Sequence, residues 1–329
     1  MVKIRKQTGH SNWSSIALWG PTGAGKDWLV RAFNRELRSL NDWKNRFSYD
    51  LKLVRPGSDR EFEVPAFADP PGDILATEES EDTKYAFYRK DTTFPVEDKR
   101  HCQRHEFILH NDAGGALVKC LENEMNHNAT LETLLQSRNI IIVLGVGNLG
   151  LNTHHEPYEN QEKNGEKDEK GLLFKKIMQL IDRLSVEPRR NIAICLTKID
   201  LIVDENEFTQ QDRWNVLSEQ YGNDARNYLE SMKKKFSNME VFITTSAGYV
   251  NSNGVRDKNI NQDATGLKDP AQWKPLNTVA PFFWIFEKIE DERYKSISLF
   301  RKIIFSEESK PVPYLRYIKT DRFGGVRNV

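Results

Sequence analysis

The chain has 329 residues, 48 of them Lys or Arg and 48 Asp or Glu, with 38% hydrophobic side chains and three cysteines. Balanced charge gives no argument for bulk attraction to nucleic acid or a membrane surface, and so few cysteines exclude a disulfide framework. No apolar run approaches the length of a bilayer span, and the polar start from Met1 to Thr8 lacks the apolar stretch of a signal peptide, so a cytoplasmic protein is expected.

At this length, one enlarged α/β domain with insertions is expected. Residues 1–12 form an N-terminal tail, and residues 13–73 the first part of the core. Ser14 to Trp19 is short and mostly apolar, and Trp28 to Phe33 continues with helical spacing. A strand and a helix are therefore predicted, with Gly20-Pro21-Thr22-Gly23-Ala24-Gly25-Lys26-Asp27 between them. The segment fits the phosphate-cradling pattern G-x-x-x-x-G-K-[ST] except at its last position. Its glycines let several N–H groups turn toward phosphate oxygens, the helix N-terminus adds partial positive charge, and Lys26 would reach the β- and γ-phosphates. Gly20, Thr22, Gly23, Ala24, Gly25, Lys26, Asp27 and Trp28 are the candidate phosphate-side residues.

Candidate strands Arg46 to Val54 and Glu61 to Ala68 flank the turn at Arg55 to Asp59, which predicts a hairpin. The second strand runs into Asp69-Pro70-Pro71-Gly72, a D-x-x-G pattern. Asp69 would hold magnesium, usually through water, and the Gly72 amide would contact the γ-phosphate. Asp73 follows as a candidate to accept a proton from the attacking water, so Lys26 and Asp73 are the candidate catalytic residues.

Residues 74–137 then read as an insertion. Its first half is charged, and its second half carries Leu117, Val118, Leu121, Met125, Leu131, Leu134 and Leu135 at helical spacing. His101, Cys102, His105, His110, Cys120 and His127 crowd it, but their spacings fit no standard zinc pair of pairs.

Residues 138–292 carry the second part of the core. Asn139 to Val146 and Arg190 to Leu196 read as buried strands, separated by a polar loop expected to be mobile over 152–171. The second strand ends in Thr197-Lys198-Ile199-Asp200, the pattern [NT]-K-x-D. A carboxylate there accepts from both N1–H and the 2-amino group of guanine, a donor pair that adenine lacks. Lys198 would lay its aliphatic stem along the purine. Val241 to Thr245 then leads to Ser246-Ala247-Gly248, where small residues let a backbone N–H approach the guanine 6-oxo group. Residues 251–272 read as a second mobile loop, a candidate flap over the base. Phe282 to Phe286 reads as the buried face of the last helix. Residues 293–329 form a basic, aromatic extension, for which nucleic-acid contact is possible in composition but otherwise unsupported.

Taken together, the P-loop, D-x-x-G, T-K-x-D and S-A motifs in this order resemble the P-loop GTPases of the translation-factor and Ras-like class. Asp69 to Asp73 and Ala280 to Ile285 look like bacterial double-GTPase-type proteins of defence-associated gene clusters. The resemblance implies a Ras-like α/β domain, mostly parallel sheet with helices on both faces, carrying a large helical insertion after the D-x-x-G motif. It implies GTP or GDP with Mg2+, held by Lys26, the loop amides, Asp69 and Gly72, with Thr197, Lys198, Asp200, Ser246 and Ala247 reading the base. It further implies a switch engaging a protein partner, either a second GTPase, with a dimer possible, or an effector docking on 74–137.

Three departures stand against the family pattern. Asp27 replaces the Ser or Thr that ligates magnesium, so either Asp27 joins Asp69 as a metal ligand or metal and triphosphate binding are weakened. No Thr lies between the P-loop helix and Asp69 to act as the first-switch residue. Asp73 stands where many small GTPases place a water-orienting glutamine. Slow intrinsic hydrolysis is expected, with faster turnover only if a partner supplies an arginine. The alternatives are a non-hydrolysing nucleotide-dependent scaffold and, third, a P-loop kinase, which would leave Asp200 and Ser246-Ala247 without a role.

Overall fold

The computed structural model describes residues 14–21, 23–42, 47–54, 61–62, 81–91, 102–111, 137–146, 174–179 and most of 190–296. Its centre is an eight-stranded sheet in the order β3-β2-β4-β5-β1-β6-β7-β8. These strands are β1 (Ser14–Trp19), β2 (Phe47–Val54), β3 (Glu61–Phe62), β4 (Glu81–Asp91), β5 (Cys102–Asn111), β6 (Asn139–Gly145), β7 (Asn191–Thr197) and β8 (Asn238–Ile243). From β5 through β8 every neighbouring pair is parallel, whereas β4, β2 and β3 add on antiparallel beyond β5. A separate antiparallel hairpin joins β9 (Tyr249–Ser252) to β10 (Val255–Lys258).

The parallel half follows from its sequence. β6 and β7 are continuous apolar runs buried at every position, as strands covered on both faces must be. The helices are α1 (Lys26–Asp42), α2 (described over 174–179), α3 (Arg213–Tyr221), α4 (Asn223–Lys235) and α5 (Ala280–Ser296). Alternate strand residues sort to opposite faces. Ile140, Ile142, Ile192 and Ile194 pack with Phe174, Leu217 and Leu229 of α2, α3 and α4. Ile141, Val143, Ala193 and Cys195 pack with Leu29 and Phe33 of α1 and with Phe282 to Phe286 of α5. Helices therefore cover both faces, as expected.

Phe33 stacks on Phe282 with ring centroids 4.2 Å apart, joining α1 to α5. The first turns of α5 are apolar on every side, and Phe282 to Phe286 are all at most 5% exposed, which makes this a core helix end. Its N-terminus is capped from outside. The Glu36 carboxylate on α1 accepts from the amides of Asn277 (3.0 Å), Thr278 (2.5 Å) and Val279 (3.2 Å) and from the Thr278 hydroxyl (2.6 Å). A negative charge on otherwise orphaned helix amides is well placed. Cys195 is buried beside the Thr244 hydroxyl, and burial pushes its thiol up to about 12, so its role is packing.

Two expectations change. The span 74–137 is not wholly a helical insertion, because β4 and β5 lie within it and belong to the main sheet, β5 directly beside β1. The 1:1 antiparallel pairing of β4 with β5 runs from Glu81–Asn111 to Lys90–Cys102. Residues 112–136, with the helical spacing, lie outside the described residues. The span 251–272, expected as a loop, contains part of the β9–β10 hairpin and a 3-10 turn, Pro270–Gln272, capped by the Asp269 carboxylate. The hairpin predicted around Arg55 to Asp59 is present as β2 and β3.

Candidate functional site

Parallel strands place their C-terminal ends together, and the chain leaves β1 with partners on both sides: β5 to one and β6 to the other. Such a switch point opens a crevice at the strand ends. Gly20, Val146, Lys198 and Thr244 all follow directly from these ends.

The loop after β1 can pass only as glycine at its start, since a Cβ on Gly20 would strike the carbonyl oxygen of Val143 on β6. Gly23 and Gly25 have φ of 75° and 88°, the left-handed region that turns successive amides inward. Ala24 N–H donates to Pro21 O at 3.2 Å, and Leu29 N–H donates to Gly25 O at 2.9 Å, which starts α1 directly from the loop. Lys26 is buried, and its Nζ donates to Gly20 O at 3.1 Å, folding its side chain back over the loop. Asp27 stands in the first turn of α1 at the positive end of the helix dipole.

The T-K-x-D segment meets this loop. Thr197 Oγ1 donates to Ala24 O at 2.5 Å, and a Cβ built on Gly25 would lie 4.0 Å from Lys198 Cε. Lys198 adopts φ 62°, ψ 29°, rare for a lysine, and caps the short 3-10 turn Ile199–Leu201. Burial holds its ammonium below the usual lysine range, partly opposed by Asp200. The turn places Asp200 in the interior, 6% exposed, with both carboxylate oxygens buried and without a hydrogen-bond partner. Burial pushes this carboxyl up to about 6, against the pull of nearby Thr245, its own backbone amide, Lys198 and Lys258. Thr245 and that amide are close enough to favour the charge, yet neither completes a well-formed hydrogen bond to it.

The S-A loop lies alongside. Thr244 N–H donates to Leu196 O at 2.8 Å and Ile199 N–H to Thr244 O at 3.3 Å, which locks the ends of β7 and β8 together. Ser246 and Ala247 are buried, and Ser246 Oγ has no hydrogen-bond partner. The indole N–H of Trp273 donates to Ser246 O at 2.7 Å, and Trp273 meets Trp28 edge-on, centroids 6.3 Å apart. Trp28 therefore stands between the phosphate loop and the base-side loop. Neither Trp273 nor Glu36 carries a sequence signal for the site; each acts through tertiary contact.

The structure thus brings together Gly20, Gly23, Ala24, Gly25, Lys26, Asp27, Trp28, Thr197, Lys198, Asp200, Ser246 and Ala247. Thr22, Asp69, Gly72 and Asp73 lie outside the described residues. Topology nevertheless bears on the D-x-x-G motif. The strand before Asp69, β3, sits at the sheet's far edge, separated from β1 by β2, β4 and β5. The strand beside β1 is β5, whose last residue, Asn111, is in register with Leu18 two residues before the phosphate loop. The sequence continues from Asn111 as Asp112-Ala113-Gly114-Gly115, a second D-x-x-G that sequence reasoning passed over. The apolar run Phe107-Ile108-Leu109 before it was the available signal. Among the described residues no cluster of three or more His, Cys, Asp or Glu side chains forms a metal site, and no helix is long and apolar enough to cross a membrane.

Comparison with protein-family models gives no match, and comparison with curated proteins gives none. Among solved structures, the chain is similar to the signal recognition particle receptor SRb-GTP/SRX complex from Chaetomium thermophilum, at 15% identity and a TM-score of 0.41, covering 73% of this chain and 93% of that one. It is also similar to Methanosarcina barkeri Roco2 RocCORdC bound to GDP, at 12% identity and a TM-score of 0.29, covering 72% of this chain and 44% of that one. With scores this low, the architecture rests on the strand order and loop geometry above.

Proposed function

We propose that this chain is a guanine-nucleotide-binding switch of the P-loop GTPase type, with slow intrinsic hydrolysis and a protein partner that reads its state. Asp200 is the observation that carries the reading. A buried carboxylate with two unpartnered oxygens is costly, and the cost is explained if a ligand supplies two parallel donors, as N1–H and the 2-amino group of guanine do. Its motif is hydrogen-bonded through Thr197 to the phosphate loop, so base and phosphate positions are parts of one site.

In this reading Lys26 leaves Gly20 O for the β- and γ-phosphates, the amides of Gly23 to Asp27 bind phosphate oxygens, and Lys198 packs along the purine. Ala247 N–H meets the 6-oxo group. Hard oxygen donors suit Mg2+, and Asp27, in the first turn of α1, and Asp112, next in sequence after β5, would be the carboxylates to supply them. Asp69 is the less favoured ligand because its preceding strand is at the sheet edge. When bound, the ion would neutralise charge between the phosphates.

The same reassignment bears on the first switch. Glu81 at the start of β4 pairs with Asn111 at the end of β5, the strand beside β1. Thr77 lies four residues before β4 and takes the role for which no Thr was found ahead of Asp69. The residue after Gly115 is Ala116, which has no polar atom to orient water, consistent with slow turnover. Residues 112–136, rather than all of 74–137, are then the candidate effector surface.

Asp27 and Ala116 also favour a second reading, a non-hydrolysing nucleotide-dependent scaffold. Titration of the purified protein with fluorescent GTP, GDP and ATP analogues, each with Mg2+ and with chelator, followed by phosphate release, tests both. Mg2+-dependent guanine selectivity with slow release supports the switch; guanine binding without release supports the scaffold. Equal binding of ATP and GTP would remove Asp200 from the reading and leave a P-loop kinase.

A further inference from the structure

The β9–β10 hairpin starts immediately after the Ser246-Ala247-Gly248 loop and is tied back onto it, Asn259 N–H donating to Gly248 O at 2.9 Å. It is also tied to the segment that follows Asp200. Arg256 donates from Nη2 to Glu205 Oε1 at 2.6 Å, and its Nε pairs with Glu205 Oε2. Arg256 and Lys258 are two residues apart on β10 and therefore point to the same face of the ribbon. Lys258 thus shares the ribbon face from which Arg256 reaches Glu205. It lies opposite Tyr249, the residue after Gly248. Of the acids nearest along the hairpin, Glu205 is paired with Arg256, and Asp257 is paired with Lys268 and also accepts from the Lys258 amide and feels its charge. Lys258 is half-buried, and its charge, with that of Lys198, is felt at the Asp200 carboxylate.

We propose that Lys258 is a second base-reading residue, its ammonium donating to the guanine 6-oxo oxygen beside the donors that Asp200 accepts. The inference rests on the guanine-binding reading above. On the guanine edge the 2-amino group, N1–H and 6-oxo oxygen follow one another, so a carboxylate on the first two places an adjacent cation at the third. The oxo oxygen has two lone pairs, and Lys258 adds to the Ala247 amide rather than displacing it. A 6-amino purine would turn N–H donors toward the ammonium, so Lys258 rejects adenine-type bases independently of Asp200.

Competition titrations against fluorescent GDP separate these contributions, using GTP, inosine triphosphate and 2,6-diaminopurine riboside triphosphate on wild type, Lys258→Met and Lys258→Arg. Inosine keeps the 6-oxo group without the 2-amino group; diaminopurine does the reverse. Lys258→Met is expected to reduce the preference for GTP over diaminopurine about tenfold or more, to leave the GTP-to-inosine ratio unchanged, and to be largely rescued by Lys258→Arg. A wild type that prefers GTP, with Lys258→Met weakening all three ligands equally, would show that Lys258 only neutralises Asp200 and would overturn the proposal. Diaminopurine also lacks N1–H, so Asp200 keeps part of the preference in Lys258→Met, but a GTP-over-diaminopurine ratio not reduced from wild type would overturn the proposal as well. A wild type indifferent to the base would bring down the guanine reading itself.

Discussion

Asp200 makes the pH dependence of nucleotide binding a direct test of the site. Only the ionised carboxylate accepts from both guanine donors, and burial raises its pKa in the free protein to about 6. On the proposed reading, guanine binding below that value is expected to expel a proton. At pH 5 roughly one tenth of the free protein carries the charge, so affinity should be about tenfold weaker than at pH 7.5. The same shift has a stability consequence. Because the native pKa lies above the ordinary 3.8, the native state binds more protons between about pH 4 and 6, and the free protein loses about 3 kcal/mol as pH rises through that window. Guanine nucleotide should recover part of it at neutral pH. Calorimetric titration of GDP from pH 5 to 8, with ATP and Asp200→Asn as controls for phosphate titration, reads the binding effect. Asp200→Asn should abolish the excess pH dependence, stabilise the free protein at pH 7.5, and shift preference toward xanthine nucleotides, whose 2-oxo group accepts from an amide. A wild-type profile no steeper than that of Asp200→Asn, or guanine preference surviving the substitution, refutes the argument.

Asp112→Asn should lower Mg2+-dependent GTP affinity by about tenfold or more, whereas Asp69→Asn should change it less than about threefold; the reverse order in a titration with and without chelator would return the motif to Asp69. Asp27→Ser should strengthen Mg2+-dependent GTP binding if the carboxylate only repels the triphosphate, and weaken it if Asp27 ligates the ion; at about 4 Å an uncompensated pair of charges is worth on the order of 4 kcal/mol near a protein surface. Glu36→Gln removes the charge from four hydrogen bonds at the start of α5 and should destabilise the domain by about 1–3 kcal/mol in urea unfolding. Gly20→Ala forces a methyl onto the Val143 carbonyl, and a loss of about 2–4 kcal/mol, read by the same assay, is expected.

The motifs legible in the sequence are those whose geometry is local. A glycine loop between a strand and a helix, a carboxylate three residues after a buried strand's end, and small residues after the next strand declare themselves by spacing, and the structure places all three at the same sheet edge. Phe282 to Phe286 declared itself by being apolar on every side. What spacing does not contain is strand neighbourhood. β4 groups its aromatic residues between charged ends, with no strict alternation, and its membership of the sheet is decided by pairing with β5, more than ten residues further on. D-x-x-G has only two fixed positions, so Asp69 and Asp112 match it equally. Which of them adjoins β1 is a fact of sheet order, and sheet order is decided by long-range packing.

That long-range packing also joins the proposed phosphate end of the site, where the sequence departs from the motif, to the proposed base end. Thr197 bonds the Ala24 carbonyl, Lys198 lies against Gly25, Trp28 packs on the tryptophan that bonds Ser246, and Glu36 holds the residues that lead into α5. Asn277 continues the chain of contacts, its side-chain Nδ2 donating to Ile243 O at the end of β8 at 2.8 Å. The candidate base-side loops are thus braced by the phosphate loop's backbone and by α1. A substitution at Asp27 changes charge near the proposed metal and triphosphate without removing any of these contacts. Guanine selectivity should consequently survive Asp27→Ser even where Mg2+ dependence changes, and GDP, with one phosphate fewer, should feel that substitution less than GTP does.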